Sequence, residues 1–257
     1  MNVKAKKHLG QHFLTDENIA KKIVEGLDFQ PYQYVLEVGP GTGVLTKYLL
    51  EKPTETYVAE IDTESIEYLK LHFQKLENKH FTGDFLKINL NDIFSGEVAI
   101  IGNFPYNISS QILFKIIENY QQIPEMVGMF QKEVAERTAA VPRTKDYGIL
   151  SVLVQAYYDV KYLFTVHENV FNPPPKVKSG VIKLTRNRKE GLEGNEILFK
   201  QIVKTGFGQK KKKLSNALKS LEIPEVLKSH AFMDKRAEEL SVEDFINFTK
   251  EWKAAKN

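Results

Sequence analysis

The chain has 257 residues, of which 42% are hydrophobic and 27% charged, and it contains no cysteine. Its length suits one large domain, or a medium domain with a small one. The lack of cysteine excludes disulfides and thiolate-metal sites, and no apolar run reaches the roughly 18 residues of a transmembrane helix. The basic N-terminus is not followed by an apolar stretch, so it does not resemble a secretory signal. We therefore expect a cytoplasmic protein without a membrane partner.

The net charge of +3 conceals an asymmetry along the chain. Residues 195–257 carry 13 Lys and Arg against 9 Asp and Glu, so this segment has a charge of +4 and the rest has −1. Such a segment indicates either a polyanionic partner or a solvated lysine-rich face. The six histidines show no ligand spacing, so we predict no metal site.

Strands and helices are predicted to alternate up to about residue 139. In chain order the predicted elements are a helix at 16–27, a strand at 34–38, a helical stretch to about 50, a strand at 56–61, a helix at 64–76, a short strand at 80–82, a strand at 98–101, a helix at 109–119, a strand at 126–130 and a helix at 132–139. This alternation favours an α/β fold, with a mostly parallel sheet between two layers of helices.

The pattern changes after residue 139. A helix is predicted at 148–157, and two strands at 159–166 and 180–185 flank a proline-rich loop. A charged, glycine-containing stretch at 186–194 indicates a linker. Further helices are predicted at 196–205, 211–221, 224–229 and 242–255. We therefore predict one domain at 1–188 and a small all-helical domain at 189–257.

A glycine-rich loop follows the strand at 34–38. Its sequence, Glu37-Val-Gly-Pro-Gly-Thr-Gly43, lacks the third glycine of the dinucleotide fingerprint, because Val44 stands at the position of that glycine, three residues after Gly41. It also lacks the Gly-Lys-Ser/Thr of a P-loop. The spacing disfavours NAD and ATP, and it suits S-adenosylmethionine, which has no phosphates to bind. A purely structural turn is the alternative.

Two acids follow the next two predicted strands. Glu60 ends the strand at 56–61 and is suited to bind both hydroxyls of an adenosine ribose. Asp84 follows the strand at 80–82 and could accept a hydrogen bond from the adenine amine. The carboxyl ends of successive parallel strands meet at one edge of a sheet, so Gly39, Glu60 and Asp84 are predicted to share a ligand site.

The fourth motif is Asn103-Phe-Pro-Tyr106, after the strand at 98–101. The amine of adenine is a poor nucleophile because its lone pair is delocalised into the ring. An Asn oxygen and a backbone carbonyl that accept from this amine favour a pyramidal nitrogen with a localised lone pair. Tyr106 offers a stacking face for the base. The motif therefore predicts N-methylation of adenine, whereas a loop with an aromatic plug is the alternative.

Together these motifs resemble the KsgA (RsmA) family of small-subunit ribosomal RNA adenine N6-dimethyltransferases. The segments that carry the resemblance are 7–14 (KHLGQHFL), 36–46 (LEVGPGTGVLT), 59–62 (AEID), 83–84 (GD), 103–110 (NFPYNISS), 171–179 (FNPPPKVKS) and 207–216 (FGQKKKKLSN). They span most of the chain in the family order. The resemblance implies a Rossmann-like class I methyltransferase fold with a seven-stranded sheet, followed by a helical domain.

The resemblance also implies roles for individual residues. The cofactor S-adenosylmethionine would be bound by His12, Leu14, Gly39, Gly41, Glu60, Ile61, Asp84, Phe85 and Asn103. Asn103 and Pro105 would polarise the target amine, and Tyr106 and Phe171 would stack on the flipped adenine. The family commonly has Asn where His12 stands. It commonly has Leu or Ile where Phe104 stands, and we expect Phe104 to act as a spacer.

The implied reaction is dimethylation of two adjacent adenosines in the hairpin near the 3′ end of 16S rRNA, within a pre-30S particle, by a monomer without a metal. The predicted RNA contacts are Lys4, Lys6, Lys7, Lys210, Lys211, Lys212 and Lys213. Two alternatives stay open: a large-subunit rRNA methyltransferase of the macrolide-resistance type, and a ribosome-assembly factor without catalysis. The glycine spacing disfavours a third, a nicotinamide-dependent oxidoreductase.

Overall fold

The computed structural model describes residues 3–256. Contacts between Cα atoms divide the chain into two compact units. The first ends at Ala135 and resumes over Asp159–Arg186, and the second combines Glu136–Tyr158 with the residues from Asn187 onward. The predicted boundary at 188 lies close to the last of the three points at which the chain passes between the units, after Arg186, but residues 136–158 group with the C-terminal unit. The assignment of a function to each unit stays a prediction.

The strands alternate with helices along the first unit. The strands, in chain order, are β1 (Phe13–Leu14), β2 (Tyr34–Val38), β3 (Glu55–Ala59), β4 (Val98–Asn103), β5 (Glu125–Gln131), β6 (Tyr158–Val166), β7 (Phe171–Asn172) and β8 (Ser179–Arg186). The main sheet has six strands in the order β3-β2-β4-β5-β8-β6, and β1 pairs with β7 in a separate two-stranded sheet.

The main sheet is parallel over four strands. β2 pairs in parallel with β3 and with β4, β4 pairs in parallel with β5, and the β5–β8 pairing that follows is antiparallel. The predicted class I fold is confirmed. Seven strands were expected, and the one at 80–82 is not a full strand. It is reduced to a single parallel bridge between Val58 and Phe81, with a hydrogen bond from Thr82 N–H to the Val58 carbonyl.

The strand order places a ligand site. β3 lies on one side of β2, and β4, the next strand along the chain, lies on the other side of β2. The strand order therefore reverses between β2 and β4, which makes this the topological switch point of the sheet. Open α/β sheets bind ligands at the carboxyl ends of the strands beside such a point. Here those ends are Val38 and Asn103. β2 and β4 are buried almost throughout, which makes this edge a rigid platform.

The α-helices, in chain order, are α1 (Glu17–Val24), α2 (Thr46–Leu49), α3 (Thr63–His72), α4 (Leu90–Ile93), α5 (Ser109–Glu118), α6 (Lys132–Ala139), α7 (Ile149–Gln155), α8 (Glu196–Gly208), α9 (Leu214–Ala217) and α10 (Val242–Ala254). Short 3₁₀ turns occur at Lys7–Leu9, Asn78–His80, Tyr106–Ile108, Glu168–Val170, Glu225–Leu227, Ala231–Asp234 and Ala237–Glu239. Asp16 caps α1, because its carboxylate accepts from Ile19 N–H at 3.0 Å.

The second unit is built from helices around an aromatic core. Phe199 and Phe207 of α8 and Phe245, Phe248 and Trp252 of α10 are buried. The predicted helix at 211–221 is wrong, since only α9 forms there. Lys213 is extended and bridges to Arg236, so the helix begins after it. Within residues 3–256, no helix combines the length and apolar character needed to cross a bilayer.

Candidate active site

A cleft opens at the carboxyl ends of β2, β3 and β4. The empty volume of the cleft, including its open mouth, is about 870 Å³. Most of the predicted cofactor and catalytic residues line it: His12, Gly39, Gly41, Glu60, Ile61, Asp84, Phe85, Asn103, Pro105 and Tyr106. Segments that are distant in sequence therefore meet at one site, as predicted from the strand ends.

The glycine loop lets backbone approach the cleft closely. Gly39 and Gly41 have φ values of +68° and +55°, a region that side chains disfavour. A Cβ on Gly41 would lie 2.8 Å from the Phe13 ring, which packs directly on this glycine. Gly41 N–H points to the carboxylate of Glu60 at 3.2 Å. The loop is thereby joined to the end of β3.

Glu60 is held by three backbone N–H groups. Its Oε1 accepts from Ile61 and Asp62 at 2.9 Å each, and its Oε2 accepts from Gly41. Burial raises the pKa of Glu60 above its ordinary value, and these three hydrogen bonds oppose the shift. Each carboxylate oxygen has two lone pairs, so Oε2 of Glu60 retains capacity for one further donor. A hydroxyl of a ribose diol is such a donor.

The neighbouring wall combines an apolar surface with an acid. Ile61 is 55% exposed, which is unusual for isoleucine, and it lines the cleft together with buried Phe85. Asp84 accepts from Leu86 N–H at 3.0 Å through Oδ1, and Lys87 lies 3.5 Å from Oδ2. This wall can take an aromatic base, with a polar acceptor at its edge.

The Asn103 amide has a defined orientation. Its Nδ2 donates to the His12 carbonyl at 2.8 Å. Because a carbonyl can only accept, the atom that faces it must be the NH₂, and Oδ1 is directed elsewhere. The site therefore presents an amide oxygen at the end of β4, ready to accept a hydrogen bond.

The Tyr106 ring is fixed from two sides. Its hydroxyl and Ser179 Oγ lie 2.5 Å apart, and its ring stacks on His12 with centroids 5.4 Å apart and planes at 29°. Burial raises the pKa of the Tyr106 phenol, and the Ser179 contact opposes the shift. His12 Nδ1 lies 2.8 Å from the Pro173 carbonyl, so the proline-rich loop also contacts this group.

Two predicted residues lie outside the main cleft. Leu14 and Phe171 are register partners in the β1–β7 pair, with 3% and 4% exposure, and both belong to the apolar core. Leu14 lines a second cavity of about 280 Å³ beside the glycine loop, together with Glu37 and Asn103. Phe171 lines neither cavity. Its stacking role stays a prediction.

Sequence reasoning missed several residues that line the site. Gln11, Phe13 and Asn107 line the cleft, and Glu37 lines the second cavity. Each of these residues lies within one of the segments that carry the family resemblance, and this was the feature of the sequence that could have indicated them. Phe104 is more than a spacer: its ring is 1% exposed and packs beside Phe130, with centroids 4.9 Å apart.

A family model described as "Ribosomal RNA adenine dimethylase" matches residues 2–254. The chain belongs to the ribosomal RNA adenine dimethylase family. The chain is 58% identical over 253 residues to the ribosomal RNA small subunit methyltransferase A of Flavobacterium johnsoniae, covering 98% of this chain and 97% of that relative. It is 57% identical over 249 residues to the protein of the same name from Cytophaga hutchinsonii, with 96% of each covered. The resemblance predicted from the motifs is confirmed.

Solved structures agree on the fold. A dimethyladenosine transferase from Plasmodium falciparum matches with a TM-score of 0.83 and 26% identity, covering 95% of this chain and 98% of that chain. The 23S rRNA methyltransferase ErmE matches with a TM-score of 0.68 and 24% identity, covering 94% and 99%. The latter likeness concerns the fold alone. The family and the relatives make this chain an rRNA adenine methyltransferase, the solved structures agree with its Rossmann-like fold, and methyltransferases of this family use S-adenosylmethionine.

The lysines predicted to contact RNA differ in their surroundings. Lys6 forms ion pairs with Asp62 and, at 3.3 Å, with Glu64. Lys210 donates to the Lys145 and Tyr147 carbonyls at 3.1 and 2.9 Å. Lys213 pairs with Asp234 at 3.0 Å. The remaining four lysines are exposed to solvent: Lys4, Lys7, Lys211 and Lys212.

Proposed function

We propose that this protein transfers methyl groups from S-adenosylmethionine to the N6 amines of two adjacent adenosines in the hairpin near the 3′ end of 16S rRNA. The observation that carries this proposal is the orientation of Asn103, whose Nδ2 is held by the His12 carbonyl while Oδ1 is left to accept. The substrate subunit rests on the small-subunit methyltransferases to which the chain is similar. The proposed setting is the cytoplasm, on a pre-30S particle, with the enzyme as a monomer.

The charge of the two cavities supports the cofactor. Their lining, all within the described residues, includes the acids Glu37, Glu60 and Asp84 and neither Lys nor Arg. A dinucleotide or ATP needs cations or a phosphate-binding loop, and this lining supplies neither. S-adenosylmethionine carries a positive sulfonium and an ammonium and has no phosphate. The lining therefore fits this cofactor better than a nucleotide.

The proposed contacts follow from the geometry. Glu60 would hold the ribose hydroxyls, Asp84 the adenine amine of the cofactor, and Ile61 the face of its base. Gly39, Gly41, His12 and Leu14 would surround its amino acid portion. When bound, S-adenosylmethionine supplies the methyl group as an electrophile on sulfur. The expectation that no metal takes part stays a prediction.

The chain's own residues act on the target amine. Asn103 Oδ1 would accept from the N6 amine, which localises the nitrogen lone pair. The proposed second acceptor is the Pro105 carbonyl, whose contacts with Ile108 N–H and Ser109 Oγ are long, at 3.3 and 3.4 Å. Tyr106, fixed by Ser179 and His12, would stack on the base. The N–CH₃ bond would form as the S–CH₃ bond breaks, which leaves S-adenosylhomocysteine. The methylated nitrogen is then cationic and loses its proton readily to water, so catalysis in this scheme is mainly positioning and needs no side-chain base.

The test is to incubate the protein with labelled S-adenosylmethionine and undermethylated ribosomal subunits, and then to map the label. We expect label on two adjacent adenosines of the small-subunit rRNA. Label on the large subunit alone would overturn the substrate, and no label on either subunit would favour an assembly factor without catalysis.

Asn103→Ala should abolish turnover while rRNA binding is largely preserved. Near-normal turnover of this variant would contradict the role of the amide.

A further inference from the structure

A carboxylate that the proposed chemistry does not use lies next to the cofactor cleft. Asp62 follows Glu60 and Ile61 at the end of β3, and its side chain has 0% exposure. Lys6 Nζ contacts Oδ1, while Gln11 Nε2 donates to Oδ2 at 3.2 Å and Ser65 Oγ donates to it at 2.9 Å. Two of these three partners come from the N-terminal segment, far away in sequence.

The segment 6–12, which we call the strap, is closed on itself. Lys6 N–H donates to Gln11 Oε1 at 2.7 Å, and the 3₁₀ turn Lys7–Leu9 lies between them. The strap supplies His8, Leu9, Gly10, Gln11 and His12 to the cleft lining. A cofactor in the cleft would therefore contact the strap along much of its length.

The other end of the strap contacts residues 103–107, which we call the catalytic loop. Gly10 has φ +65°, and a Cβ there would lie 2.8 Å from Asn107 Oδ1. The carbonyl of His12 accepts from Asn103 Nδ2. The strap thus runs from Asp62, which follows β3, to Asn103, at the end of β4, and forms one wall of the cleft.

The Asp62 contacts are of the kind that hold a segment in place. Burial alone raises the pKa of Asp62, but the hydrogen bonds from Lys6, Ser65 and Gln11 outweigh it, so its pKa lies below the ordinary value. A buried carboxylate that loses its cation is strongly destabilised unless water reaches it. The second acid near Lys6 is Glu64, whose Oε1 lies 3.3 Å from the Lys6 ammonium. Its side chain is 45% exposed, and ion pairs between exposed groups contribute little to stability.

We propose that Asp62 is a positioning residue that holds the strap across the cofactor cleft, and that through the strap it sets the affinity for S-adenosylmethionine and the orientation of Asn103. The proposal rests on the proposed function for the identity of the ligand. It assigns Lys6 to the cofactor site and not to the RNA surface predicted for it.

The test measures binding of S-adenosylhomocysteine and S-adenosylmethionine to the full chain by calorimetry, with Asp62→Asn and Glu64→Gln as a matched pair. Both variants convert an acid beside Lys6 to its amide, but only Asp62 is buried and bound to Gln11. We expect Kd to rise about ten- to hundredfold for Asp62→Asn and less than about twofold for Glu64→Gln. Hydrogen exchange at the strap amides should accelerate in Asp62→Asn only. Equal Kd values and equal exchange in the two variants would overturn the proposal.

A second set of variants guards against misfolding of Asp62→Asn. Lys6→Met leaves the buried carboxylate without its cation, so it should weaken cofactor binding. Adding Asp62→Asn to Lys6→Met removes the unpaired charge, so the double variant should bind more tightly than Lys6→Met alone. A double variant with a Kd equal to or above that of Lys6→Met would contradict the proposal.

Failure of the proposal can be told from failure of the proposed function. Cofactor binding and strap exchange do not depend on any RNA. If neither subunit is labelled but the Kd values separate as expected, Asp62 keeps its role and the substrate assignment fails. If methylation of the small subunit is seen and the Kd values do not separate, the strap proposal fails alone.

Discussion

Glu37 places an ionisable group inside the first unit, directly after a run of apolar strand residues. Its side chain is 1% exposed and accepts from Thr46 Oγ1 at 2.5 Å. Burial raises its pKa from 4.5 to about 8, the Thr46 hydrogen bond opposes the shift, and the charge of Glu60 adds to it. The carboxyl group is therefore mainly protonated at neutral pH in the protein without cofactor. A cationic ligand beside it would favour the ionised form.

This shift predicts how stability depends on pH. In the folded protein Glu37 keeps a proton that the unfolded chain releases above its ordinary pKa of 4.5. The free energy of unfolding should therefore fall as pH rises from 4.5 to about 8, and this contribution should be constant above that. Glu37→Gln removes the titration and keeps an acceptor for Thr46. Its stability advantage over the unmodified protein should grow across this interval in urea unfolding without cofactor.

Glu67→Gln is the control for that measurement. Glu67 is exposed on α3, so its replacement removes a carboxyl group without removing a buried one. Its stability difference from the unmodified protein should be small and nearly independent of pH. Parallel pH profiles for Glu37→Gln and the unmodified protein would contradict the raised pKa of Glu37.

At the scale of elements, β5 supports the catalytic loop through a glycine. Gly128 lies in the middle of β5, and a Cβ there would lie 2.0 Å from Phe104 Cε2. Gly102 of β4 leaves room for the same ring, since its Cβ would lie 2.8 Å from Phe104 Cε1. Two adjacent strands therefore form a seat for the side chain between Asn103 and Pro105.

Gly128→Ala should displace Phe104 and with it the Asn103 amide. We expect a loss of stability of about 1–3 kcal/mol, typical of overpacking, together with a fall in kcat. Phe104→Leu in the same chain should restore part of both, because the smaller side chain leaves room for the added methyl. Thermal unfolding and turnover of small subunits measure the two effects.

The matched control is Gly96→Ala, since a Cβ on Gly96 would meet nothing within 4 Å. This variant should resemble the unmodified protein in both measurements. A Gly128→Ala protein with unchanged stability and turnover would show that Phe104 moves aside freely, and the seat would then have no role in catalysis.

Elements whose residues carry their own signal could be predicted from the sequence. β2 and α6 were predicted at their observed bounds, and the site residues at the ends of β2, β3 and β4 meet because parallel strands end together. Long-range partners could not be predicted. The pairing of Lys6 with Asp62, 56 residues away, leaves no local pattern. Lys213 is drawn into an extended conformation by Arg236, and this overrides helix propensity.

At the scale of the whole molecule, charge is divided between the two compact units. The cofactor cleft lies within the first unit, and its lining has no Lys or Arg among the described residues. The Lys210–213 run belongs to the second unit, where Lys211 and Lys212 are exposed. The second unit would then contribute RNA contacts that are not cofactor contacts, in addition to the exposed Lys4 and Lys7 of the first unit. Each activity should be separable by substitution.

Lys211→Gln combined with Lys212→Gln tests this separation. Loss of two phosphate contacts should weaken binding of small-subunit rRNA and make the slope of log K against log salt less negative by about 1–2. The Kd for S-adenosylhomocysteine should be unchanged, since no residue of the cleft is altered. An unchanged salt slope for RNA binding would remove these lysines from the RNA surface.

Lys210→Gln should behave differently from its neighbours, although it makes the same change in charge. The Lys210 ammonium donates to the Lys145 and Tyr147 carbonyls and lies 3.5 Å from Glu238. Loss of the ammonium therefore removes the hydrogen bonds between the segment before α7 and the segment after α8. We expect a lower Tm with little change in the salt slope. The double variant of Lys211 and Lys212 should show the reverse, a changed slope with an unchanged Tm. If all three lysines altered the slope equally, accessibility in the free protein would not decide which of them reach phosphate.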